Sequence, residues 1–158
     1  MSDAAAFVIR AVEREEVDRI HDLWWTAEDR AAWLPASNGR DLMAELDVLA
    51  SEGRVWAAFL RRRPVAFAMA GELDGALWLS GLGVEAAYRG RGLARSLIAS
   101  TIGFGQWAYY PAVLALAPAD QDAFLTRFGF LKLDPARLEG SAATLADMRG
   151  LEARARRL

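Results

Sequence analysis

Apolar residues recur along this chain with two periods, and the switches between them mark its elements. Ala6 to Val12 is a short apolar run rich in β-branched residues, after which Val17, Ile20, Leu23, Trp24 and Ala27 return at helical spacing. The first pattern predicts a strand and the second an amphipathic helix with one buried face. Pro35-Ala36-Ser37-Asn38-Gly39 reads as a turn, and Leu42, Met43, Leu46, Leu49 and Ala50 outline a second helix that Gly53 can end as its C′ residue.

Arg54 to Leu60 and Pro64 to Gly71 are apolar runs separated by Arg61-Arg62-Arg63, and Asp74-Gly75 marks a tight turn before Ala76 to Val84. This predicts a three-strand antiparallel meander. A glycine-rich loop then opens a helix with the stripe Leu93, Ala94, Leu97, Ile98, Thr101 and Ile102. Ala112 to Ala117 is the next strand; because a helix leads to it, a right-handed crossover should set it parallel to the strand before. Asp120 to Phe128 reads as the last clear helix, ended by Gly129, with Phe130 to Leu133 extended. Ala142 to Met148 has a helical pattern. Leu151, Ala153 and Ala155 alternate with charges up to Leu158, as in a half-exposed edge strand. Such an edge can pair with another subunit, giving a homodimer, or stay exposed and charged through Arg154, Arg156 and Arg157. The order of elements predicts an α/β (α+β) fold, a mixed and mostly antiparallel sheet flanked by about four helices.

A length of 158 residues suits one domain, expected to span residues 1–158. Hydrophobic content of 54% with 25% charged residues is globular, and no apolar run approaches the ~20 residues of a membrane helix. Without cysteine there is neither disulfide nor thiolate nucleophile, and His21 is the one histidine, a poor basis for a zinc site, so no metal is expected. A net charge of −2 argues against a broad nucleic-acid surface but leaves local basic patches open. Met1-Ser2-Asp3-Ala4 lacks the order of a signal peptide, so a cytoplasmic location is the expectation by elimination.

Chemistry concentrates in Arg89-Gly90-Arg91-Gly92-Leu93-Ala94, between a strand ending at Val84 and a helix. A helix start presents backbone N–H groups, glycine at 90 and 92 removes the Cβ atoms that would hold a phosphate away, and Arg89, Arg91 and Arg95 add positive charge. Taken alone, the spacing fits either a pyrophosphate site or a plain turn into a helix with solvated arginines. A P-loop is absent. Gly81-Leu82-Gly83-Val84-Glu85-Ala86 matches the dinucleotide fingerprint by letters, but it lies inside a strand and no helix begins there.

The stretch from Leu82 to Ala94 resembles the signature of the GNAT N-acetyltransferase superfamily, a strand followed by R/Q-x-x-G-x-G/A, with Arg89, Gly92 and Ala94 in its fixed positions. Phe124-Leu125-Thr126-Arg127-Phe128-Gly129-Phe130 resembles the family's second mark, an aromatic-containing helix ending in Gly-Phe. The resemblance implies the family's fold and acetyl-CoA as cofactor. It places the pantetheine arm between two parallel strands that splay apart, Leu77 to Val84 and Val113 to Ala117, and the pyrophosphate on the loop. Leu82, Gly83, Val84 and the segment from Arg89 through Gly90, Arg91, Gly92, Leu93 and Ala94 to Arg95 would bind the cofactor, with the Leu82 amide polarising the thioester carbonyl. Glycines 81 and 83 would either permit a bulge there or let a helix pack close.

The pattern breaks where proton transfer is expected. The family's commonest acid is a tyrosine four residues before the Gly of Gly-Phe, and here that position is Leu125. Tyr88 is a candidate acid but more readily packs under the loop, and Tyr109 and Tyr110 are expected to be structural. The strand from Leu77 to Val84 has no carboxylate; Ser80 is a candidate for holding a water, Glu72, Asp74 and Glu85 read as turn residues, and His21 as a surface histidine. The resemblance builds the acceptor pocket from the two early helices, where Trp25, Glu28 and Trp33 would suit a small cationic amine, while Trp24 falls on the core stripe.

Overall fold

The meander is closed by two hairpin turns of two residues each, and these fix the register of the sheet. In the computed structural model, which describes residues 7–26, 42–117, 122–133 and 152–158, the turn residues Arg61 (φ 50°) and Arg62 (φ 69°), then Asp74 (φ 51°) and Gly75 (φ 79°), are left-handed. That primed geometry matches the twist of the flanking strands. The first turn is thus shorter than its three arginines suggest, because Arg63 already belongs to the strand that follows.

The strands are β1 (Phe7–Ala11), β2 (Val55–Leu60), β3 (Arg63–Leu73), β4 (Ala76–Val84), β5 (Ala112–Ala117), β6 (Leu131–Lys132) and β7 (Glu152–Arg157). The helices are α1 (Val17–Thr26), α2 (Leu42–Ser51), α3 (Leu93–Trp107) and α4 (Asp122–Thr126), with 3-10 turns at Arg14–Glu16 and Ala86–Tyr88. The turn expected at residues 35–39 and the helix expected at 142–148 lie outside the described residues.

The sheet runs β1-β2-β3-β4-β5-β7-β6, antiparallel throughout except for the parallel pair β4 and β5. Here the reading of the tail is corrected. β7 is an interior strand, paired along its length with β5 and over Leu131–Lys132 with β6, and the Arg154 side chain is fully buried. The alternation of small apolar and charged residues mimics an edge because long arginines can lie within a packed face. Among the described residues the outermost strands of the sheet are β1 and β6, with β6 covering β7 at Ala155 and Arg154.

Pro64 to Ala70 of β3 are buried without interruption, so both faces of the strand are covered; α1, α2 and α3 all pack on it. Alanines 57, 58, 66, 68 and 70 make up much of this layer and let backbones approach closely. α3 buries Leu93, Leu97, Ile98, Thr101 and Gly105, a stripe at helical spacing, with each large apolar side chain worth about 1.5–3 kcal/mol. α2 is followed by a left-handed Gly53, as its C′ position requires.

Candidate cofactor and active site

The parallel ladder between β4 and β5 is short. Leu77 pairs with Val113 and Trp78 with Leu114, and no later residue of β4 pairs with β5, although β5 continues to Ala117 beside β7. The two strands therefore separate beyond Trp78. On its other side β4 stays bonded to β3 up to Val84.

The direction of the β4 backbone follows from one bond. Glu85 N–H donates to the Val65 carbonyl at 2.8 Å, which makes 85 and 65 a hydrogen-bonded pair of the antiparallel ladder. Such pairs alternate with pairs whose N–H and C=O groups point away from the partner strand. Leu82 and Val84, opposite Ala68 and Ala66, are of the second kind, so their backbone groups point toward the gap. The Val84 carbonyl agrees, since it accepts a 3.1 Å bond from Arg89 Nε.

Between Met69↔Gly81 and Ala70↔Leu79 the register slips by one, leaving Ser80 as the extra residue of a β-bulge. Ser80 is 2% exposed and its hydroxyl faces the Met69 carbonyl at 3.4 Å, so the structure does not bring it to the cleft as a water holder. Nor are Gly81 and Gly83 explained by a helix. A Cβ at Gly81 would lie 2.6 Å from Met69 Cγ, and one at Gly83 would lie 2.9 Å from Phe67 Cε1, so these glycines make room for side chains of β3.

After β4 the chain turns through Ala86–Tyr88 to Gly90 (φ 77°) and Gly92 (φ 78°), where Gly92 is the N-cap of α3 and brings no side-chain cap. The first N–H groups of α3 thus have no intrahelical acceptor. A Cβ on Gly90 or Gly92 would meet nothing within 4 Å, so the two left-handed glycines face open space. An anion fits there: donors, dipole and clearance coincide.

That space is a cleft of about 450 Å³. One wall is Leu82, Gly83 and Val84 with Arg89, Gly90, Gly92 and the start of α3 through Arg95, while the Arg91 guanidinium lies over the Tyr88 ring and is not among the lining residues; the other wall is Phe124, Arg127 and Phe128. The sequence motifs therefore meet across it. Phe124 and Phe128 pack edge-to-face at 5.1 Å between centroids. These three residues were missed as site residues, although their place beside the Gly129-Phe130 mark, one helical turn apart, was a usable signal. Tyr88 lines the cleft too, with its ring against Phe7 and its hydroxyl accepting from Arg63 Nη2 at 3.2 Å. Arg63 also donates to Glu85 at 2.8 Å, and this carboxylate holds the guanidinium's pKa above its ordinary value.

Leu125 is fully buried in the core, not on the cleft. Tyr110 lies at the far end of α3, donating to Glu72 at 3.3 Å and accepting from Arg54 at 2.8 Å, while Tyr109 beside it is 93% exposed. His21 Nδ1 sits 3.9 Å from Asp22 on α1. Trp25 belongs to α1, but its side chain, with Glu28 and Trp33, lies outside the described residues. Among the described residues no cluster of His, Asp and Glu could hold a metal, and no helix is long and apolar enough to cross a membrane.

Residues 15–130 match the acetyltransferase (GNAT) family. The chain belongs to this family. No curated protein sequence matches it significantly. Among solved structures, it is similar to N-acetylglutamate synthase from Neisseria gonorrhoeae complexed with coenzyme A and N-acetyl-glutamate (14% identity, TM-score 0.78, covering 96% of this chain and 35% of that one). It is similar also to a GNAT acetyltransferase from Staphylococcus aureus Mu50 (16%, TM-score 0.78, 97% and 99%). A third is the PaiA N-acetyltransferase from Thermoplasma acidophilum in complex with coenzyme A (13%, TM-score 0.70, 100% of each). This GNAT chain spans about a third of the length of the N-acetylglutamate synthase it matches. The described residues of this chain form a mixed seven-stranded sheet, splayed between β4 and β5, with four helices.

Proposed function

We propose that this GNAT chain, as one domain over residues 1–158, is an acetyl-CoA-dependent N-acetyltransferase for a small amine or amino-acid-like acceptor. One observation carries the reading: the Leu82 and Val84 backbone groups face a gap between β4 and β5 that continues into the cleft beneath Gly90 and Gly92. Acetyl-CoA would supply the thioester that donates the acetyl group. The loop amides from Gly90 to Arg95 hold its pyrophosphate, with Arg89, Arg91 and Arg127 adding charge, and Phe124 and Phe128 give it an apolar wall. The Leu82 amide is the donor for the carbonyl oxygen as negative charge grows on it. Attack is direct, because the chain has no cysteine to carry an acetyl group. The acceptor class rests on the family and on the N-acetyl-glutamate named with one similar structure.

Free thiol release from acetyl-CoA across an amine panel tests the reaction, and a calorimetric CoA titration tests the site. Turnover with an amine supports the enzyme. Tight CoA binding with no turnover for any acceptor favours instead a CoA-binding module, the reading motivated by a core Leu125 and a Ser80 turned to Met69. Absence of CoA binding would overturn both.

A further inference from the structure

We propose that the end of the sheet around the cleft docks an acidic protein carrying its thioester on a phosphopantetheine arm, as a second donor beside CoA. Where the arm goes rests on the cofactor reading above; the docking surface has its own evidence. Arg19 Nη1 donates to the Arg62 carbonyl at 3.0 Å, and Arg63 bonds Glu85 and Tyr88. Arg63 and Arg91 then lie over the Tyr88 ring at 5.7 and 5.6 Å. These contacts join the β2–β3 hairpin tip to the loop, from which Arg95 and Arg127 continue the positive ridge around the cleft. Glu85 is the carboxylate these contacts bring into it.

The protein as a whole carries −2, so this cluster of arginines runs against the net charge. Glu52, Glu72 and Asp74 lie at the opposite end of the strands, beside Arg54 and Tyr110. A partner with an acidic face is steered toward the arginine-rich end.

The hairpin tip carries its charge in a conformation that costs local stability. Arg61 and Arg62 are exposed and both left-handed, a conformation in which a Cβ is crowded and which Asn-Gly adopts with ease. Neither side chain pairs with a carboxylate among the described residues. RNA would also seek positive charge, but base recognition needs open aromatic faces. Among the described residues the Tyr88 ring is taken by two arginines and Phe7, Phe124 and Phe128 pack against each other inside the cleft, and the exposed Trp107 and Tyr109 lie at the other end of α3. The chemistry is balanced as for CoA: an amine N–C bond forms, the C–S bond breaks, and the carrier's thiol leaves with the proton the amine loses.

The test titrates the full chain with an acyl carrier protein in holo and acetylated forms, beside CoA and a short single-stranded RNA, at low and physiological salt. The comparison variant is R61N/R62G, which lies outside the cleft and suits the turn. Expected is salt-sensitive carrier binding, consumption of the acetyl carrier with an amine, and a variant that loses carrier affinity about tenfold or more while binding CoA normally and melting a few degrees higher. CoA binding without carrier binding at low salt, an R61N/R62G variant that binds carrier like the parent, or RNA that displaces the carrier and binds more tightly would each overturn the proposal. Carrier binding without CoA binding would refute the CoA reading alone.

Discussion

Trp78 and Leu114 are the last paired residues of the parallel β4–β5 ladder, and Leu82 lies further along β4 with its backbone turned to the side that β5 has vacated. β5 is held away by β7, which pairs with it from Ala112 to Ala117. β4 is re-aimed by the bulge at Ser80, since an extra residue bends a strand and increases its twist. The gap is thus built by pairing on one side and an inserted residue on the other.

The contact of Gly81 with Met69 can be tested by crowding it. In Gly81→Ala the new Cβ falls 2.6 Å from Met69 Cγ and 2.8 Å from its sulfur. Overpacking should cost about 1–3 kcal/mol in denaturant unfolding, and Met69→Ala in the same chain should recover part of it. Strict additivity of the two changes would show that the glycine serves something other than this side chain.

The elements were legible because each of the central strands, helices and turns had its own signal, as Asp74-Gly75 and Gly53 illustrate. The loop before α3 was legible for the same reason: glycines at 90 and 92 are needed by the backbone itself, with φ of 77° and 78°. β7 was misplaced because period-two alternation tells which residues share a face and nothing about what lies on either side of the strand. Ser80 misled for a related reason, since a bulge shifts side-chain direction by one and leaves no mark in composition. Phe124, Arg127 and Phe128 line the same cleft as residues some thirty positions earlier, facing them from the opposite wall, a juxtaposition only the fold creates.

Gly92 separates backbone need from ligand clearance. In Gly92→Ala the left-handed conformation should cost about 1–2 kcal/mol of stability, because the Cβ is crowded by its own backbone and meets nothing else within 4 Å. Calorimetry should show CoA affinity reduced by tenfold or more, as the methyl enters the space in front of the α3 amides. Unchanged affinity would place the pyrophosphate elsewhere.

Leu125 is expected to behave as a core residue. Leu125→Ala should destabilise by about 2–5 kcal/mol, and Leu125→Tyr and Leu125→Phe should both lose stability through overpacking. Because the position faces the core and not the cleft, turnover should be no higher with Tyr than with Phe. A kcat raised by Tyr over Phe would reveal that thiolate protonation limits the rate and that the side chain reaches the cleft.

The Arg10–Glu16 pair gives a pH dependence with a definite sign. Arg10 Nη1 and Nη2 each donate to Glu16 at 2.7 Å, and Glu13 N–H adds a 2.9 Å bond, tying β1 to the turn before α1. The Arg10 bond is the main cause holding the Glu16 pKa below its ordinary 4.5. A carboxyl whose folded pKa is depressed adds stability that is complete above the ordinary value and is lost as pH falls through the folded one. Arg10 is 40% exposed, so solvent screening keeps the contribution to about 1 kcal/mol. Urea unfolding of Glu16→Gln and the parent should therefore differ by about that amount at pH 7, and the two curves should draw together as pH falls below the ordinary carboxylate value. A difference that stays constant into acid would mean that the pair acts through packing and not through its charge.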